Sequence, residues 1–88
     1  MKVYLHPIAK KYFERLNEPD KSYVKAALSD LEQEPPKGDI KPIVGQPGCF
    51  RGRKGNFRYL FEIENNVILV THIVPRGQAY KKKNRRKK

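Results

Sequence analysis

Three arginines stand close together in the segment GCFRGRKGNFRYLFEI, residues 48–63. They are Arg51, Arg53 and Arg58. Guanidinium groups held this close repel one another unless an anion comes between them. Arginines directed at a phosphate bind it through charge-assisted hydrogen bonds and stabilise the charge that builds up on its oxygens during cleavage. The segment therefore predicts a phosphate site, with a solvated outer face of a sheet as the alternative.

A second pair of candidate residues lies in the segment PRGQAY, residues 75–80, which contains Arg76 and Tyr80. Neighbouring cations favour the ionised form of a tyrosine, so Tyr80 is a candidate proton acceptor, and its ring is a candidate stacking platform for a base. Together with the arginines this suits RNA cleavage, in which the ribose 2′-hydroxyl attacks the adjacent phosphate. DNA lacks that hydroxyl. We therefore predict an endoribonuclease that uses neither a metal nor another cofactor.

The charge balance favours a polyanionic partner. The chain has 88 residues and a formal net charge of +11, and its last eight residues, KKKNRRKK, hold seven of the cations. Such a tail is typical of nucleic-acid binding and equally of a solubilising appendage. We predict one domain over residues 1–80 and a basic tail over residues 81–88. Further candidate RNA contacts are Lys54, Lys81, Lys82 and Lys83.

Several other classes of protein are disfavoured by the composition. The one cysteine, Cys49, excludes an intrachain disulfide and a multi-cysteine zinc site, and we interpret it as a small buried hydrophobic residue. The longest apolar run, VILV at residues 67–70, is too short to span a bilayer, and no signal peptide is visible. We expect a soluble cytoplasmic protein with no membrane partner. Neither His6 nor His72 has partners at metal-ligand spacing.

These residues need elements to position them, and the hydrophobic periodicity supplies the order β-α-α-β-β-β. Residues 1–5 alternate like a strand, and apolar residues then recur at helical spacing after Pro7 and again after Asp20. The segment from Pro35 to Gly48 is rich in Pro and Gly, which predicts a loop, and from Phe57 onward the period is two, as in strands. We predict an α+β domain in which a helical hairpin packs on one face of a mostly antiparallel four-stranded sheet.

The turns predict which face carries the arginines. If Asn65-Asn66 is a two-residue turn, Phe61 faces Val70, Ile63 faces Ile68 and Tyr59 faces His72, which makes His72 a core histidine. If Lys54-Gly55 is also a two-residue turn, Arg51 faces Arg58 and Arg53 faces Asn56. The three arginines then share the face away from the helices. A three-residue loop there would reverse this parity.

At this point the chain resembles the RelE/ParE toxin superfamily of prokaryotic toxin–antitoxin systems. The likeness covers almost all of residues 1–80. It rests on the opening strand, the helical pair, a loop glycine before the hairpin, the strands CFRGR and GNFRYLFEI, and the closing PRGQAY, which is similar to the family's Arg-x-x-x-Tyr ending. For RelE-like members the resemblance implies a toxin that cleaves messenger RNA in the ribosomal A site and inhibits translation. It also implies a protein that is monomeric alone and neutralised by a cognate antitoxin.

The same resemblance implies a role for each matched residue. Arg51 and Arg53 would bind phosphate and stabilise the transition state, and Arg58 would hold the scissile phosphate. Arg76 would add a further positive charge, and Tyr80 would be the base or a stacking residue. Two alternatives stay open: a ParE-like inhibitor of DNA gyrase, and a non-catalytic RNA- or ribosome-binding module.

Overall fold

The structure, a computed structural model, describes residues 1–75. In this part of the chain two helices and five strands follow one another in the order β1 (Lys2–Leu5), α1 (Pro7–Arg15), α2 (Asp20–Leu31), β2 (Asp39–Pro42), β3 (Cys49–Lys54), β4 (Phe57–Glu64) and β5 (Val67–Pro75). The predicted α+β class and the packing of a helical pair on one face of the sheet are confirmed. The predicted count of four strands is wrong, because β2 is a fifth.

Local sequence explains the start of α1 and the packing face of α2. Pro7 occupies the first turn of α1, where a missing N–H costs nothing, and the His6 ring accepts a hydrogen bond from the Ile8 backbone N–H at 3.2 Å. In α2 the buried residues Val24, Ala27 and Leu31 recur at helical spacing, so this stripe packs on the sheet. Neither helix within residues 1–75 is long and apolar enough to cross a membrane.

The sheet has the strand order β1-β5-β4-β3-β2. Strand β1 pairs with β5 in parallel, and the other three pairings are antiparallel. Strand β2 lies at an edge and pairs only with β3, so it tolerates Pro42, which lacks a backbone donor. The loop predicted from Pro35 to Gly48 is therefore interrupted, because four of its residues, Asp39–Pro42, form β2.

The core lies between the helices and one face of the sheet, which we call the inner face. Its buried residues come from both layers: Ala9, Val24, Ala27, Leu31, Phe57, Tyr59, Phe61, Ile68, Val70 and Ile73. The alternation predicted along β4 is confirmed, since Phe57, Tyr59 and Phe61 are all buried. The opposite face, which we call the outer face, carries Arg58 and Leu60 from the same strand.

The β3–β4 turn lies one residue later than predicted. It is Gly55-Asn56, not Lys54-Gly55, and Gly55 has a φ of 58°, as the first central residue of a type II′ turn requires. Arg53 therefore faces Arg58, and Arg51 faces Leu60. The shift moves each partner by two residues, so parity is preserved and the arginines still share the outer face. The predicted pairing of Arg51 with Arg58 is wrong.

The β4–β5 hairpin combines a confirmed turn with an unpredicted bulge. Asn65 and Asn66 have φ values of 52° and 66°, and Phe61 pairs with Val70 and Ile63 with Ile68, as expected. Beyond Phe61 the register shifts, because Leu60 pairs with His72 and leaves one residue, Thr71, unpaired in the bulge. This single extra residue turns His72 to the outer face, where it is exposed.

The expectation of a core histidine is therefore wrong, and Ile73 takes the inner position opposite Tyr59. Cys49, expected to be buried, is half-buried on the outer face of β3. Both corrections concern the edge of the predicted core and leave its centre, around Phe61, unchanged.

Candidate functional site

The outer face of the sheet is organised as rows of side chains that cross β2, β3, β4 and β5. One row contains Asp39, Arg53, Arg58 and Val74, each directly paired with the next. The neighbouring row contains Lys41, Arg51, Leu60 and His72. We define the cationic patch as the five charged residues that β2, β3 and β4 contribute to these two rows: Asp39, Lys41, Arg51, Arg53 and Arg58.

The patch encloses a small pocket of about 90 Å³, which the five charged residues line together with Gly52. Four cations and one carboxylate give this lining a formal net charge of +3. The volume is well below the roughly 300–1,000 Å³ of ordinary small-molecule pockets. The pocket therefore suits a small anionic group, such as one phosphate of a longer polymer.

Two arginines of the patch face each other directly. Arg53 on β3 and Arg58 on β4 are paired positions, and like charges at paired positions destabilise a sheet. Arg58 is half-buried, which limits how far its guanidinium can move away into solvent. An arrangement that opposes the stability of the sheet in this way is typical of a binding site, because a bound anion removes the repulsion.

Asp39 partly offsets this repulsion. Its carboxylate Oδ2 accepts from the Arg53 Nη2 at 3.0 Å, and both side chains are about half exposed. An exposed ion pair of this kind contributes little to stability and is easily exchanged for another partner. A phosphate that enters the pocket can therefore take over Arg53 at small cost.

Tyr59 and Gly52 keep β3 close to the core beneath the arginines. The Tyr59 ring lies against the backbone of Gly52, and a methyl group at that position would overlap the ring. Burial raises the pKa of the Tyr59 hydroxyl above its ordinary value, and the negative charges of Asp30 and Asp39 raise this pKa further. A glycine between Arg51 and Arg53 thus lets both arginines project outward while a tyrosine packs underneath.

Sequence reasoning missed two residues of the patch, Asp39 and Lys41. Both lie on β2, which was expected to be part of a loop. The available signal was the alternation of Asp39, Ile40 and Lys41, in which only Ile40 packs against the core. An edge strand of four residues makes that signal very short.

The other predicted site residues lie apart from the patch or outside the described residues. Lys54 lies on the inner side of β3, where its Nζ is 3.5 Å from the Asp30 Oδ2 and 5.8 Å from the centre of the Tyr23 ring. The structure therefore does not bring Lys54 to the patch. The remaining candidates fall beyond residue 75 and outside the described part of the chain: Arg76, Tyr80, Lys81, Lys82 and Lys83.

Residues 1–75 contain no group of three or more His, Cys, Asp or Glu side chains placed to hold a metal ion. The donors of the patch are almost all cationic, and Asp39 is its one carboxylate. What this set of residues can do chemically is bind an anion and stabilise added negative charge on it.

The geometry agrees with the comparison to known families. The model of the ParE toxin of type II toxin–antitoxin systems (parDE) matches residues 3–80. The chain belongs to this family and hence to the RelE/ParE toxin superfamily that its sequence resembles. It is accordingly a toxin of a toxin–antitoxin system. No curated protein sequence matches the chain significantly.

Solved structures of RelE toxins share the fold. The RelB–RelE complex from Methanococcus jannaschii gives a TM-score of 0.72 at 20% identity, over 90% of this chain and 96% of that one. The RelE–RelB complex from Pyrococcus horikoshii gives 0.71 at 25% identity, over 89% and 97%. The isolated Escherichia coli RelE toxin gives 0.71 at 16% identity, over 97% and 96%. The architecture described above is therefore that of RelE toxins.

Proposed function

We propose that this toxin is a ribosome-dependent endoribonuclease, which cleaves messenger RNA in the A site and thereby inhibits translation. The observation that carries the proposal is the cationic patch, in which Arg51, Arg53 and Arg58 line one phosphate-sized pocket. The stability of the sheet alone does not favour two arginines at paired positions on one face. A phosphodiester bound there removes their repulsion.

The patch would act on the transition state of RNA cleavage. When the 2′-hydroxyl attacks the adjacent phosphate, negative charge accumulates on the non-bridging oxygens, and fixed guanidinium groups stabilise that charge. Arg58, which is half-buried and flanked by Arg53, is best placed to hold the scissile phosphate. Arg76 would add positive charge from the segment that follows β5, and Tyr80 would contribute as a base or by stacking.

We also propose the partners of the protein, which are an antitoxin, the ribosome and mRNA. The similar structures from Methanococcus jannaschii and Pyrococcus horikoshii are complexes of a RelE toxin with a RelB antitoxin. By analogy, a cognate antitoxin binds this chain and neutralises it, and the free toxin is a monomer. Its targets, the ribosome and mRNA, are in the cytoplasm, where we place the protein. The basic tail, residues 81–88, would add affinity for ribosomal RNA.

The test is in vitro translation of a defined message with the wild-type protein, Arg58→Ala and Tyr80→Phe, followed by mapping of the new 5′ ends. Arg15→Ala serves as a matched control, because Arg15 is an exposed arginine in the last turn of α1, away from the patch. We expect cuts in phase with codons from the wild type and from Arg15→Ala. Arg58→Ala lacks the contact to the transition state, so it should cleave about 10²–10³-fold more slowly than the wild type.

The other outcomes separate the alternatives. The family model that matches is that of ParE, which favours gyrase inhibition as the second candidate function. Uncut message, unimpaired translation and poisoned gyrase would replace the present proposal with that one. Binding to ribosomes without cleavage, with no effect of Tyr80→Phe, would show a non-catalytic RNA-binding module.

A further inference from the structure

His72 shares the outer face with the cationic patch because of the Thr71 bulge. In a regular ladder it would face Tyr59 on the inner side, but the extra residue pairs it with Leu60 instead. It therefore lies in the same row as Arg51, with Leu60 between them. Bulges often occur beside active sites, where they redirect a side chain. The side chain redirected here is an imidazole, whose two ring nitrogens can accept and donate protons.

The position of His72 relative to the scissile phosphate follows from the ladder. Arg58 pairs with Val74, so His72 is its diagonal neighbour on the adjacent strand. Diagonal neighbours lie about 7–8 Å apart, within reach of long side chains. Leu60, a half-buried apolar residue, lies between Arg51 and His72, so His72 is near enough to a phosphate held by Arg58 to reach the adjoining ribose.

A short chain of hydrogen bonds fixes which ring nitrogen of His72 is available. The Thr71 hydroxyl donates its single proton to the Leu60 carbonyl oxygen at 3.3 Å. The same hydroxyl oxygen lies 3.1 Å from the His72 Nδ1, so it must accept from Nδ1–H. In the neutral ring Nε2 then carries the lone pair. A histidine oriented by a third group in this way has the arrangement of a general base.

We propose that His72 is the general base of the RNA cleavage reaction, with Thr71 as its positioning residue, an inference that rests on the proposed endoribonuclease function. The His72 Nε2 removes the proton of the ribose 2′-hydroxyl. The 2′-oxygen then forms a bond to phosphorus while the bond from phosphorus to the 5′-oxygen breaks. The 5′-oxygen leaves with the bonding electrons and takes a proton from water. The products are a 2′,3′-cyclic phosphate and a 5′-hydroxyl end.

The cationic patch itself cannot take this proton. Its arginines have N–H donors and no acceptor atom, and the Asp39 carboxylate lies on the edge strand β2, two strands away from Arg58. The ammonium group of Lys41 likewise has three donors and no acceptor. With His72 as the base, Tyr80 keeps the second of its two predicted roles, the stacking platform.

The experiment measures single-turnover cleavage on ribosomes carrying a synthetic mRNA with one defined A-site codon. The variants are His72→Ala, Thr71→Val and, as a control with intact proton transfer, Arg58→Ala. We expect His72→Ala to be about 100-fold slower than the wild type, near the lower end of general-base effects. Imidazole in the buffer should restore part of this rate and should not help Arg58→Ala. The cleavage rate of Thr71→Val should fall about tenfold, because the His72 imidazole is still present but is no longer oriented by the Thr71 hydroxyl.

A second substrate tests the direction of proton transfer. In this mRNA sulfur replaces the scissile 5′-oxygen, which gives a leaving group that needs no proton. A general base is still required, so the defect of His72→Ala should persist. Disappearance of the defect on this substrate would assign His72 to the leaving group instead and overturn the proposal. Urea unfolding of each variant checks that it is folded. We expect His72→Ala to unfold at the wild-type midpoint, because His72 is exposed.

Two outcomes distinguish the role of His72 from the endoribonuclease function. Cleavage by His72→Ala at the wild-type rate, with Arg58→Ala slow, would overturn the role of His72 and leave the endoribonuclease function in place. A wild-type protein that cuts no message would overturn the function and the inference with it.

Discussion

The two faces of strands β3 and β4 are made from alternate residues of the same short segment and have opposite characters. The inner face holds Phe50, Gly52, Tyr59 and Phe61. The Phe61 ring stacks on those of Phe50 and Tyr59, with centroids 5.6 Å and 5.9 Å apart, and the Tyr59 ring lies against Gly52. The outer face holds three arginines whose charges repel. The inner face therefore stabilises the fold, and the outer face of the same hairpin carries the cationic patch.

This separation shows why the arginines are tolerated. The free energy gained by burying aromatic rings on the inner face exceeds the cost of placing like charges on the outer face. Substitutions on the inner face should therefore change the free energy of unfolding, and substitutions on the outer face should change RNA binding and cleavage. Three predictions test how complete the separation is.

The largest effect on stability is expected from Phe61→Ala. Phe61 is 1% exposed and lies at the centre of the core, so its removal leaves a cavity under both hairpins. We expect the free energy of unfolding to fall by about 3–5 kcal/mol, measured by urea denaturation. Leu60→Ala, next in sequence but half-buried on the outer face, is the control and should lose much less. Equal losses would contradict the separation of the faces.

Asp39→Asn should have a smaller effect, and on the other face. Both partners of the Asp39–Arg53 pair are about half exposed, so unfolding should change by less than about 1 kcal/mol. Affinity for a short RNA should rise roughly fivefold at low salt, the effect of one unit charge near 4 Å in water. Fluorescence anisotropy measures this rise, which should shrink as salt screens the charge.

Asp30→Asn is the matched control for this prediction. It makes the same change in net charge, but its carboxylate contacts Lys54 on the inner side of the hairpin. A similar gain in RNA affinity from both variants would mean that total charge decides binding and that the position of Asp39 in the patch does not.

The two faces were predicted correctly from the sequence even though the predicted position of the β3–β4 turn was wrong. The predicted turn, Lys54-Gly55, was one residue early, but moving a two-residue turn by one position shifts each cross-strand partner by two. Side chains alternate with a period of two, so the face of every residue stayed the same. Gly55, which the type II′ turn needs at its first central position, was the signal that could have corrected the register.

The sequence could not predict the parts of the site that depend on an interruption of the alternation. The Thr71 bulge inserts one residue, which reverses the face of His72, and nothing in the sequence VTHIV distinguishes a bulged strand from a regular one. Strand β2 is held by pairing with β3 more than by its own composition, since it contains Pro42 and only one residue packed against the core. Only these tertiary constraints bring Asp39 and Lys41 to the cationic patch and His72 to the outer face.

The smallest expected effect is a loss of stability at alkaline pH that depends on Tyr59, on the inner face. It is measured with Tyr59→Phe. Burial, reinforced by the charges of Asp30 and Asp39, raises the pKa of Tyr59 above its ordinary value of 10.0. The unfolded chain therefore ionises first, so the contribution of Tyr59 to stability is intact below pH 10 and is lost as the pH rises through the higher folded pKa.

Urea midpoints measured from pH 8 to 11 should thus fall in the wild type and fall less steeply in Tyr59→Phe. The pKa of Tyr12 is raised as well, mainly by burial, so Tyr12→Phe makes a parallel comparison for a half-buried tyrosine on α1. A Tyr59→Phe curve as steep as that of the wild type would contradict the burial of this hydroxyl beneath the arginines. It would then follow that water reaches β3 from its inner side, and that the two faces are less separate than their side chains indicate.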